Sequence, residues 1–499
     1  MGYNSARIKL NAGVAASLFY LIPQMVVLTP LWPGFSFLPH QQTGVTWMLG
    51  RERGETPGGI LCDEMGLGKT IQVIGLLKNG IRHAGEKTLL IAPVAVLEQW
   101  KKVARKAKIT VKVPSEYDWV TEGERGRVAA ELHCIGYEAA VRRPWLVTQA
   151  WTRLVVDEAH RIAGGNSSTE LVYRIKATST WLLTGTPIVN KLNDFVTLLK
   201  VLGVKNTPRG LDSLEPFIKK YVLARTMEQL RASIPDAPKK PQHVFKSLDF
   251  LSKEEEEFYH SRADVIANRL NALGGKGATL ERLKLIMRLR QVSLHPQVYN
   301  EARKNQLGSA WEQPDWEESS TKFEAIRQLL VGAKTSHKWI IFCHFRHEMQ
   351  MLEEMIRGES VVEIVQQYHG GLTAAQKEDV LERSLMPLME GKQEVLLVQL
   401  QSGGTGLNLQ HFDQIIFTGP WWTKALMDQA VGRAVRIGQA KQVVVYHLHL
   451  KAEEDDDRMN IDRFMAEKAE LKGSLCEKVL QAATTTVLAA DLVPLKVCS

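Results

Sequence analysis

Short apolar runs alternate along the chain with longer segments whose apolar residues recur every three or four positions. In the first half, residues 88–93 and 154–156 are apolar runs of strand length, and residues 97–107 between them have a helical pattern. In the second half, an apolar run at 338–345 is followed by a helical pattern at 346–356. Strands that alternate with helices predict an α/β fold built on a parallel, doubly wound sheet.

The stretch between the two halves has a different pattern. Residues 211–322 contain amphipathic helical patterns, a Pro-rich connector at 234–242 and a polar linker at 306–320. The acidic run at 254–257 is typical of a solvated helix start, because the helix dipole favours negative charge there. We therefore expect an N-terminal extension (1–35), a first lobe (36–210), a helical protrusion and linker (211–321), a second lobe (322–450) and a C-terminal helical tail (451–499).

Length and composition agree with a multidomain protein that does not depend on disulfide bonds for its stability. A chain of 499 residues exceeds what one hydrophobic core usually fills. Its five cysteines are scattered without a CxxC pair, which argues against a zinc site or a disulfide framework and favours a reducing compartment. The net charge of +8 suits a polyanionic partner, although many solvated surfaces carry as much.

The apolar stretch at 14–32 superficially resembles a signal or membrane segment. Pro23, Gln24 and Pro30 interrupt it, and no disulfide-rich body follows. Packing of this stretch against the first domain is therefore the favoured interpretation. We expect no stable membrane association and no secretion.

The string GGILCDEMGLGKTIQ has the features of a phosphate loop, with a short apolar lead and a helical continuation. Gly66 and Gly68 permit close backbone approach, Lys69 can reach the β and γ phosphates, and the Thr70 hydroxyl can bind Mg²⁺. The loop is a variant of the plain GxxxxGK pattern, because Asp63 stands where that pattern has its first glycine.

A phosphate loop requires a second acidic element at the end of a later strand. RLVVDEAH supplies it, since Asp157 and Glu158 directly follow a buried strand. Asp157 is expected to hold Mg²⁺, and Glu158 to orient and deprotonate the attacking water. A further strand ends in LTGTP, where Thr184 and Thr186 are placed to sense the phosphate site through hydrogen bonds.

These motifs resemble the Swi/Snf family of helicase superfamily two, which are ATP-driven translocases on double-stranded DNA. DEMGLGKT, DEAH and LTGTPIVN occur in the family's order and spacing, with LPHQQTGVTWM upstream and DQAVGRAVRIGQ downstream. The resemblance covers residues 36–450. It implies two RecA-like lobes with a helical insertion between them, ATP and Mg²⁺ as cofactors, adenine recognition by Gln41 and a place for Gly406 in the ATP site. It also explains Asp63, because the family regularly begins its phosphate loop in this way.

Arg433 and Arg436 lie in the RIGQ-containing string of the second half. Three residues apart, they lie on one helical face and can reach a triphosphate that the opposite lobe presents. We expect them to act as arginine fingers that stabilise charge on the γ phosphate. The alternative is a solvated helix face, which is usual for isolated arginines.

DNA contacts are implied by the resemblance at strand-to-helix turns, where amides and hydroxyls suit phosphate oxygens. Ordinary turns are an equally good interpretation of the same positions. Relatives usually continue the tryptophan pair with Asn-Pro, which is absent here, so Trp421 has core packing as its alternative role. The implied DNA-binding residues are Pro93, Gly370, Ser402, Gly403, Thr405 and Trp421.

We therefore predict a DNA-stimulated ATP hydrolase that moves along double-stranded DNA. The alternatives are a strand-separating helicase on DNA or RNA, and a DNA-binding scaffold with an inactive ATP site. Nucleosomes or other DNA-bound proteins are candidate further partners. The expected location is the nucleus in a eukaryote and the cytoplasm otherwise.

Overall fold

The computed structural model describes residues 27–81, 83–189, 191–273, 279–400, 407–451 and 459–491. The strands in these residues are β1 (Gly58–Leu61), β2 (Glu86–Ala92), β3 (Thr110–Pro114), β4 (Trp119–Thr121), β5 (Ala130–Gly136), β6 (Ala150–Asp157), β7 (Lys176–Leu183), β8 (Val222–Leu223), β9 (Gln242–Leu248), β10 (His337–Cys343), β11 (Val362–Tyr368), β12 (Gln393–Gln399), β13 (Gln414–Phe417) and β14 (Val444–Leu450).

The α-helices in the same residues lie mostly between the strands. They are α1 (Pro39–Arg51), α2 (Lys69–Asn79), α3 (Val94–Lys106), α4 (Tyr137–Val141), α5 (Ser167–Arg174), α6 (Leu192–Val201), α7 (Glu215–Tyr221), α8 (Met227–Leu230), α9 (Lys253–Ala272), α10 (Thr279–Leu294), α11 (Pro296–Leu307), α12 (Thr321–Val331), α13 (Arg346–Arg357), α14 (Ala374–Arg383), α15 (Lys424–Val431) and α16 (Ile461–Asp491).

The first lobe contains a sheet with the strand order β4-β3-β5-β2-β6-β7-β1-β8. Its pairs are parallel except for β3 with β4. Side chains of β2 alternate between two core clusters, because successive strand residues point to opposite faces: Leu89 and Ile91 join one cluster, and Leu90 and Ala92 join the other. Both faces are thus buried, as parallel sheets require.

The second lobe contains a sheet with the order β11-β12-β10-β13-β14-β9, and all of its pairs are parallel. The apolar run Trp339 to Cys343 in β10 is buried in its centre. The two parallel sheets with flanking helices confirm the predicted α/β class with two doubly wound lobes.

The segment 211–321, which we expected to be a helical protrusion and linker, also contributes strands. β8 pairs with β1 in the first sheet, and β9 pairs with β14 at the edge of the second sheet. The structure therefore differs from the expected division at residues 210 and 322. The reason is that β9 is a half-exposed edge strand whose sequence, QHVFKSL, has no apolar run to mark it. Helices α9, α10 and α11 also lie in this segment.

The acidic run at 254–257 is only partly solvated. Ser252 caps α9 by accepting a hydrogen bond from the amide of Glu255. The Glu255 side chain is buried and accepts hydrogen bonds from the amide and the hydroxyl of Thr321. The expectation of a solvated helix start was therefore wrong for Glu255, which joins α9 to the beginning of α12.

The described end of the apolar N-terminal stretch packs against the first lobe. Leu28 and Leu31 are buried in one of its core clusters, and Lys78 donates a hydrogen bond to the carbonyl of Leu31 at 2.8 Å. The ammonium group of Lys106 lies 4.1 Å from the ring centre of Trp32. Packing is thus confirmed for residues 28–32, while residues 14–26 lie outside the described residues. No helix among the described residues has the length and apolar character to cross a membrane.

The C-terminal helix α16 contacts both lobes. Cys476 is buried in a core cluster of the first lobe, and Leu480 packs against the same cluster. Glu477, between them, forms an ion pair with Lys424 of the second lobe at 2.9 Å. The tail is therefore an integral helix that joins the two lobes.

Arg153, on β6, is fully buried and pairs with two carboxylates. It binds Glu52 through two nitrogens at 2.8 and 2.9 Å and also binds Glu86.

We predict that Arg153→Met lowers the unfolding free energy of the first lobe by about 3–5 kcal/mol, because the buried carboxylates of Glu52 and Glu86 lose the guanidinium that neutralises them. Urea denaturation measures this loss. Arg357→Met, which removes a surface pair with Glu353, is the control and should change stability little; equal effects of the two substitutions would contradict the prediction.

Candidate nucleotide site

The phosphate loop connects β1 to α2 at the carboxyl edge of the first sheet. Gly66 and Gly68 have φ of 90° and 81°, in the left-handed region that favours glycine. Gly68 directly precedes the first turn of α2, and a methyl group added to it would lie 2.6 Å from Nε2 of Gln41. The backbone conformation therefore favours glycine here, and a larger residue would also displace the end of the Gln41 side chain.

Lys69 and Thr70 lie in the first turn of α2, where the helix N-terminus favours anions. The Lys69 ammonium donates a hydrogen bond to the carbonyl of Asp63, at 2.6 Å, and so stays within the loop. Thr70 is half-buried beside it. The phosphate and Mg²⁺ contacts expected of these two residues stay predictions.

Asp63 is fully buried and forms a two-point ion pair with Arg225. Nε of Arg225 lies 2.9 Å from Oδ1, and Nη2 lies 2.6 Å from Oδ2. Gln72 also donates to Oδ2, at 2.8 Å. Planar, two-point pairing of this kind fixes geometry as well as charge. Sequence analysis missed Arg225; the signal was an acidic residue at a glycine position, which needs a partner once it is buried.

Gln41 and its neighbour His40 hold the other side of the loop. His40 Nε2 lies 2.9 Å from the carbonyl of Leu67, and Gln41 Nε2 donates to the same carbonyl at 3.5 Å. Gln41 is buried, and its side-chain oxygen accepts from the amide of Leu38 at 3.2 Å. The predicted adenine-binding residue is therefore packed against the phosphate loop.

Asp157 and Glu158 end β6 at the same edge of the sheet. Asp157 accepts hydrogen bonds from the Trp100 indole at 2.8 Å and from the Glu158 amide at 2.9 Å. Glu158 has φ of 52° and ψ of 50°, an uncommon conformation for a residue with a side chain. Burial, and then the nearby charge of Glu158, raise the pKa of Asp157 to about 6. A cation at this site would offset that cost of ionisation.

Thr184 and Thr186 connect to the acid pair through His160. Nδ1 of His160 lies 3.3 Å from the Thr184 hydroxyl and 3.5 Å from the Glu158 carboxylate. Burial lowers the pKa of His160, so the ring is neutral at neutral pH. The Thr184 hydroxyl accepts from the amide of Thr186, at 3.1 Å. The buried Thr186 hydroxyl has no hydrogen-bond partner among the described residues and lines a cavity of about 460 Å³ between the lobes.

Arg433 and Arg436 approach this site from the second lobe. Helix α15 ends at Val431 with Gly432 as its C-cap, so the two arginines lie in the turns that follow, and the expected position on one helical face was wrong. A methyl group added to Gly66 would lie 3.9 Å from Cα and Cγ of Arg436. Arg433 is buried; burial lowers its pKa, and the negative charges of Glu158 and Asp157 oppose that change. Burial and then the charge of Arg433 lower the pKa of Arg436 to about 10, so it remains charged at neutral pH. The two arginines, the phosphate loop and the acid pair therefore face one cleft.

The predicted DNA-binding positions are distributed over both lobes. Pro93 is buried and precedes α3, whereas Gly370 is exposed after β11. Ser402, Gly403 and Thr405 lie outside the described residues, and so does Gly406, which was predicted for the ATP site.

Trp421 is half-buried at the carboxyl edge of the second sheet. Its ring stacks on His344 with 5.3 Å between centroids and 2° between planes. The guanidinium of Arg290, from α10, lies 4.5 Å from the Trp421 ring centre. These contacts correspond to the packing role that the sequence analysis gave as the alternative.

Comparison with known families extends these observations. The model of the SNF2-related domain matches residues 40–298, more than half of the chain, and that of the helicase conserved C-terminal domain matches residues 321–438. The chain belongs to the Swi/Snf family of helicase superfamily two. The resemblance seen in the sequence is thereby confirmed, and the enzyme class is that of an ATP hydrolase.

Swi/Snf relatives of very different length match most of the chain. A probable global transactivator of Orgyia pseudotsugata multicapsid polyhedrosis virus is 27% identical over 470 residues, which cover 89% of this chain and 91% of the relative. An uncharacterized ATP-dependent helicase of Mycoplasma pneumoniae is 28% identical over 87% of this chain and 41% of its own. The human SWI/SNF-related matrix-associated actin-dependent regulator of chromatin subfamily A member 1 is 27% identical over 89% and 43%, respectively. This chain thus spans less than half of the latter two relatives.

Among solved structures, the Sulfolobus solfataricus SWI2/SNF2 ATPase core in complex with dsDNA matches with a TM-score of 0.39 and 22% sequence identity. The match covers 93% of this chain and 98% of the archaeal one.

The buried pair of Asp63 and Arg225 gives a direct test of the loop variant. We predict that Asp63→Gly, although it restores the plain phosphate-loop pattern, lowers stability by about 3–5 kcal/mol, because it leaves the Arg225 charge buried without its partner. ATP binding should weaken as the loop loses its anchor. Thermal unfolding and fluorescent-nucleotide titration measure the two effects.

The control for this substitution also removes the positive charge of Arg225. Asp63→Gly combined with Arg225→Met should recover part of the lost stability without restoring ATP affinity, because the buried charge is gone while the loop stays unanchored. Wild-type stability and ATP affinity in the single Asp63→Gly variant would contradict the prediction.

Proposed function

We propose that this chain is an ATP-dependent motor on double-stranded DNA that couples ATP hydrolysis to movement along the duplex. One observation carries the proposal: Arg433 and Arg436 of the second lobe face the phosphate loop and the acid pair of the first. A nucleotide in this cleft would contact both lobes. Its binding and hydrolysis would therefore change the free energy of the closed arrangement relative to the open one.

Each residue of the site has a role in this proposal. Lys69 binds the β and γ phosphates, and Arg433 and Arg436 stabilise charge on the γ phosphate. Glu158 orients the attacking water and accepts its proton. Gln41 recognises the adenine, which requires it to exchange its bond with Leu67 for one with the base.

The site also suits Mg²⁺. The Thr70 hydroxyl and the Asp157 carboxylate are oxygen donors, which Mg²⁺ prefers, and two protein ligands leave room for phosphate oxygens and water. The raised pKa of Asp157 agrees with a carboxylate that a cation would complement. Mg²⁺ bound here would neutralise charge on the phosphates. Thr70 and Asp157 would hold it between α2 and β6.

Movement requires that each lobe grips the same nucleic acid. The turns at Pro93 in the first lobe and Gly370 in the second supply such contacts in the proposal, together with the loop that contains Ser402, Gly403 and Thr405. Contacts of this kind reach phosphates and carry little sequence information, so stepping is independent of sequence. Thr184 and Thr186 lie between the acid pair and the space between the lobes. In the proposal, their hydrogen bonds change when ATP is hydrolysed, which couples hydrolysis to the arrangement of the lobes.

The names of the relatives suggest a biological setting. The human relative is named a regulator of chromatin and the viral one a probable global transactivator. We infer that this motor acts on nucleosomes or other DNA-bound proteins, in the nucleus if the source is a eukaryote and in the cytoplasm otherwise.

Three substitutions test the assigned chemistry. We expect Lys69→Ala and Arg436→Ala each to abolish ATP turnover, because one removes the phosphate-binding ammonium and the other an arginine finger worth about 10³-fold or more in rate. Glu158→Gln should lose turnover but keep ATP binding. Phosphate release and nucleotide titration measure these outcomes. Arg383→Ala, which removes an exposed pair with Asp379, is the control; persistent turnover in all three site variants would refute the roles.

The choice of nucleic acid separates the motor on duplex DNA from a strand-separating helicase. We predict that double-stranded DNA stimulates ATP turnover more than single-stranded DNA or RNA of equal length, because the proposed contacts follow a duplex backbone. The same assay without nucleic acid gives the basal rate. In a second assay, a third strand is bound to the duplex as a triplex. ATP-dependent displacement of this third strand, without separation of the duplex strands, would support translocation. Stimulation by single strands or RNA alone, with duplex unwinding, would favour the helicase.

A further inference from the structure

Two buried aromatic side chains hold the acid pair from opposite faces of the first sheet. Trp100 of α3, 1% exposed, donates its indole N–H to Oδ2 of Asp157 at 2.8 Å. Tyr137 at the start of α4, 3% exposed, donates its hydroxyl to the carbonyl of Asp157 at 2.6 Å, and this hydroxyl lies 3.3 Å from the carbonyl of Glu158. Trp100 belongs to one core cluster of the first lobe and Tyr137 to the other.

These hydrogen bonds fix groups that would otherwise rotate. Trp100 and the amide of Glu158 occupy both oxygens of the Asp157 carboxylate, which determines the plane of that carboxylate. Glu158 is in the left-handed region, an unfavourable conformation for a residue with a side chain that persists only where neighbours hold it. Tyr137 contacts the carbonyls on both sides of the α-carbon of Glu158 and thereby holds this conformation.

Both aromatic residues connect to the turn that precedes α3. α3 begins after Pro93, and Trp100 lies about two helical turns further along it. Val94, the first residue of α3, is 67% exposed, yet a methyl group added to Gly136 would lie 2.9 Å from its Cγ2 atom. Gly136 directly precedes Tyr137. Displacement of the turn at Pro93 and Val94 would therefore move the elements that carry both hydrogen-bond donors.

We propose that Trp100 and Tyr137 are positioning residues of the ATP-hydrolysis reaction, which align the carboxylates of Asp157 and Glu158 and connect them to the turn between Pro93 and the exposed Val94. The proposal rests on the proposed function, since it takes Glu158 as the base and the turn as a nucleic-acid contact. Neither aromatic residue touches the nucleotide in this proposal. Their effect on turnover passes through the acid pair.

Tyr137→Phe is the main test, because it keeps the ring in the core and removes the hydroxyl. We expect kcat for ATP to fall about tenfold, the effect of losing one hydrogen bond that aligns a reacting group, while KM for ATP stays within about twofold. The ratio of duplex-stimulated to basal turnover should also fall. Tyr173→Phe, which removes a hydroxyl bonded to the carbonyl of Thr197 in the same lobe, is the control and should leave kcat, KM and this ratio unchanged.

Trp100→Phe tests the indole hydrogen bond to Asp157. Its control is the same substitution at Trp151, another buried tryptophan of the first lobe. Trp151 is 2% exposed, and its indole donates to the carbonyl of Leu146. Both substitutions should lower the thermal midpoint, because each leaves a cavity. Only Trp100→Phe should also lower kcat and raise the Mg²⁺ concentration at half-maximal turnover. Equal kinetic effects of Trp100→Phe and Trp151→Phe would show a packing role and overturn the assignment of Trp100.

A double variant separates positioning from general damage. In single-turnover measurements with enzyme in excess, Tyr137→Phe should add no loss to Glu158→Gln, because the carboxylate that Tyr137 aligns has already been replaced. Additive losses, or wild-type kcat in Tyr137→Phe, would overturn the proposal. Unimpaired turnover by Glu158→Gln alone, or no stimulation of the wild type by duplex DNA, would instead refute the proposed function. The basal kcat of Tyr137→Phe still tests alignment in that case.

Discussion

The buried ion pair between Asp63 and Arg225 anchors the phosphate loop, and much of the site depends on it. Arg225 follows β8, on the segment that leaves the first lobe for the second. Hydrogen bonds continue along this junction, since the amide of Glu64 donates to the carbonyl of Arg225 and the amide of Met227 donates to the Glu64 carboxylate. The phosphate loop therefore contacts the segment that connects the lobes directly. Asp63, which replaces the usual glycine, joins the loop to this segment through its ion pair with Arg225.

A site divided between two lobes converts chemistry into displacement only if neither lobe is complete alone. The phosphate loop and the acid pair come from the first lobe, and Arg433 and Arg436 come from the second. Burial of these four charged elements in one cleft is costly unless opposite charges complement one another. A triphosphate with its cation would supply negative charge to the arginines and positive charge to the carboxylates. The nucleotide is then as much a part of the cleft's electrostatic balance as the side chains are.

Sequence analysis predicted the architecture, and which strand ends meet at the candidate site, because both depend on local patterns. Apolar runs ending in DEAH or LTGTP mark buried strands and their carboxyl ends, and parallel strands bring these ends together. Arg225, Trp100 and Tyr137 were missed because their partners lie 162, 57 and 20 residues away, and no local pattern indicates such pairing. β9 was missed for a different reason: an edge strand buries too little surface to need a continuous apolar run.

Helix α16 has a consequence for the order in which the molecule is made. Cys476 and Leu480 complete a core cluster whose other members lie before residue 225, and β9 needs β14, which is made some two hundred residues later. During synthesis from the N-terminus, most of this cluster is made before the second lobe, and the part that Cys476 and Leu480 cover is completed only after it. A nascent chain therefore exposes this part of the first-lobe core until the residues of α16 have been made.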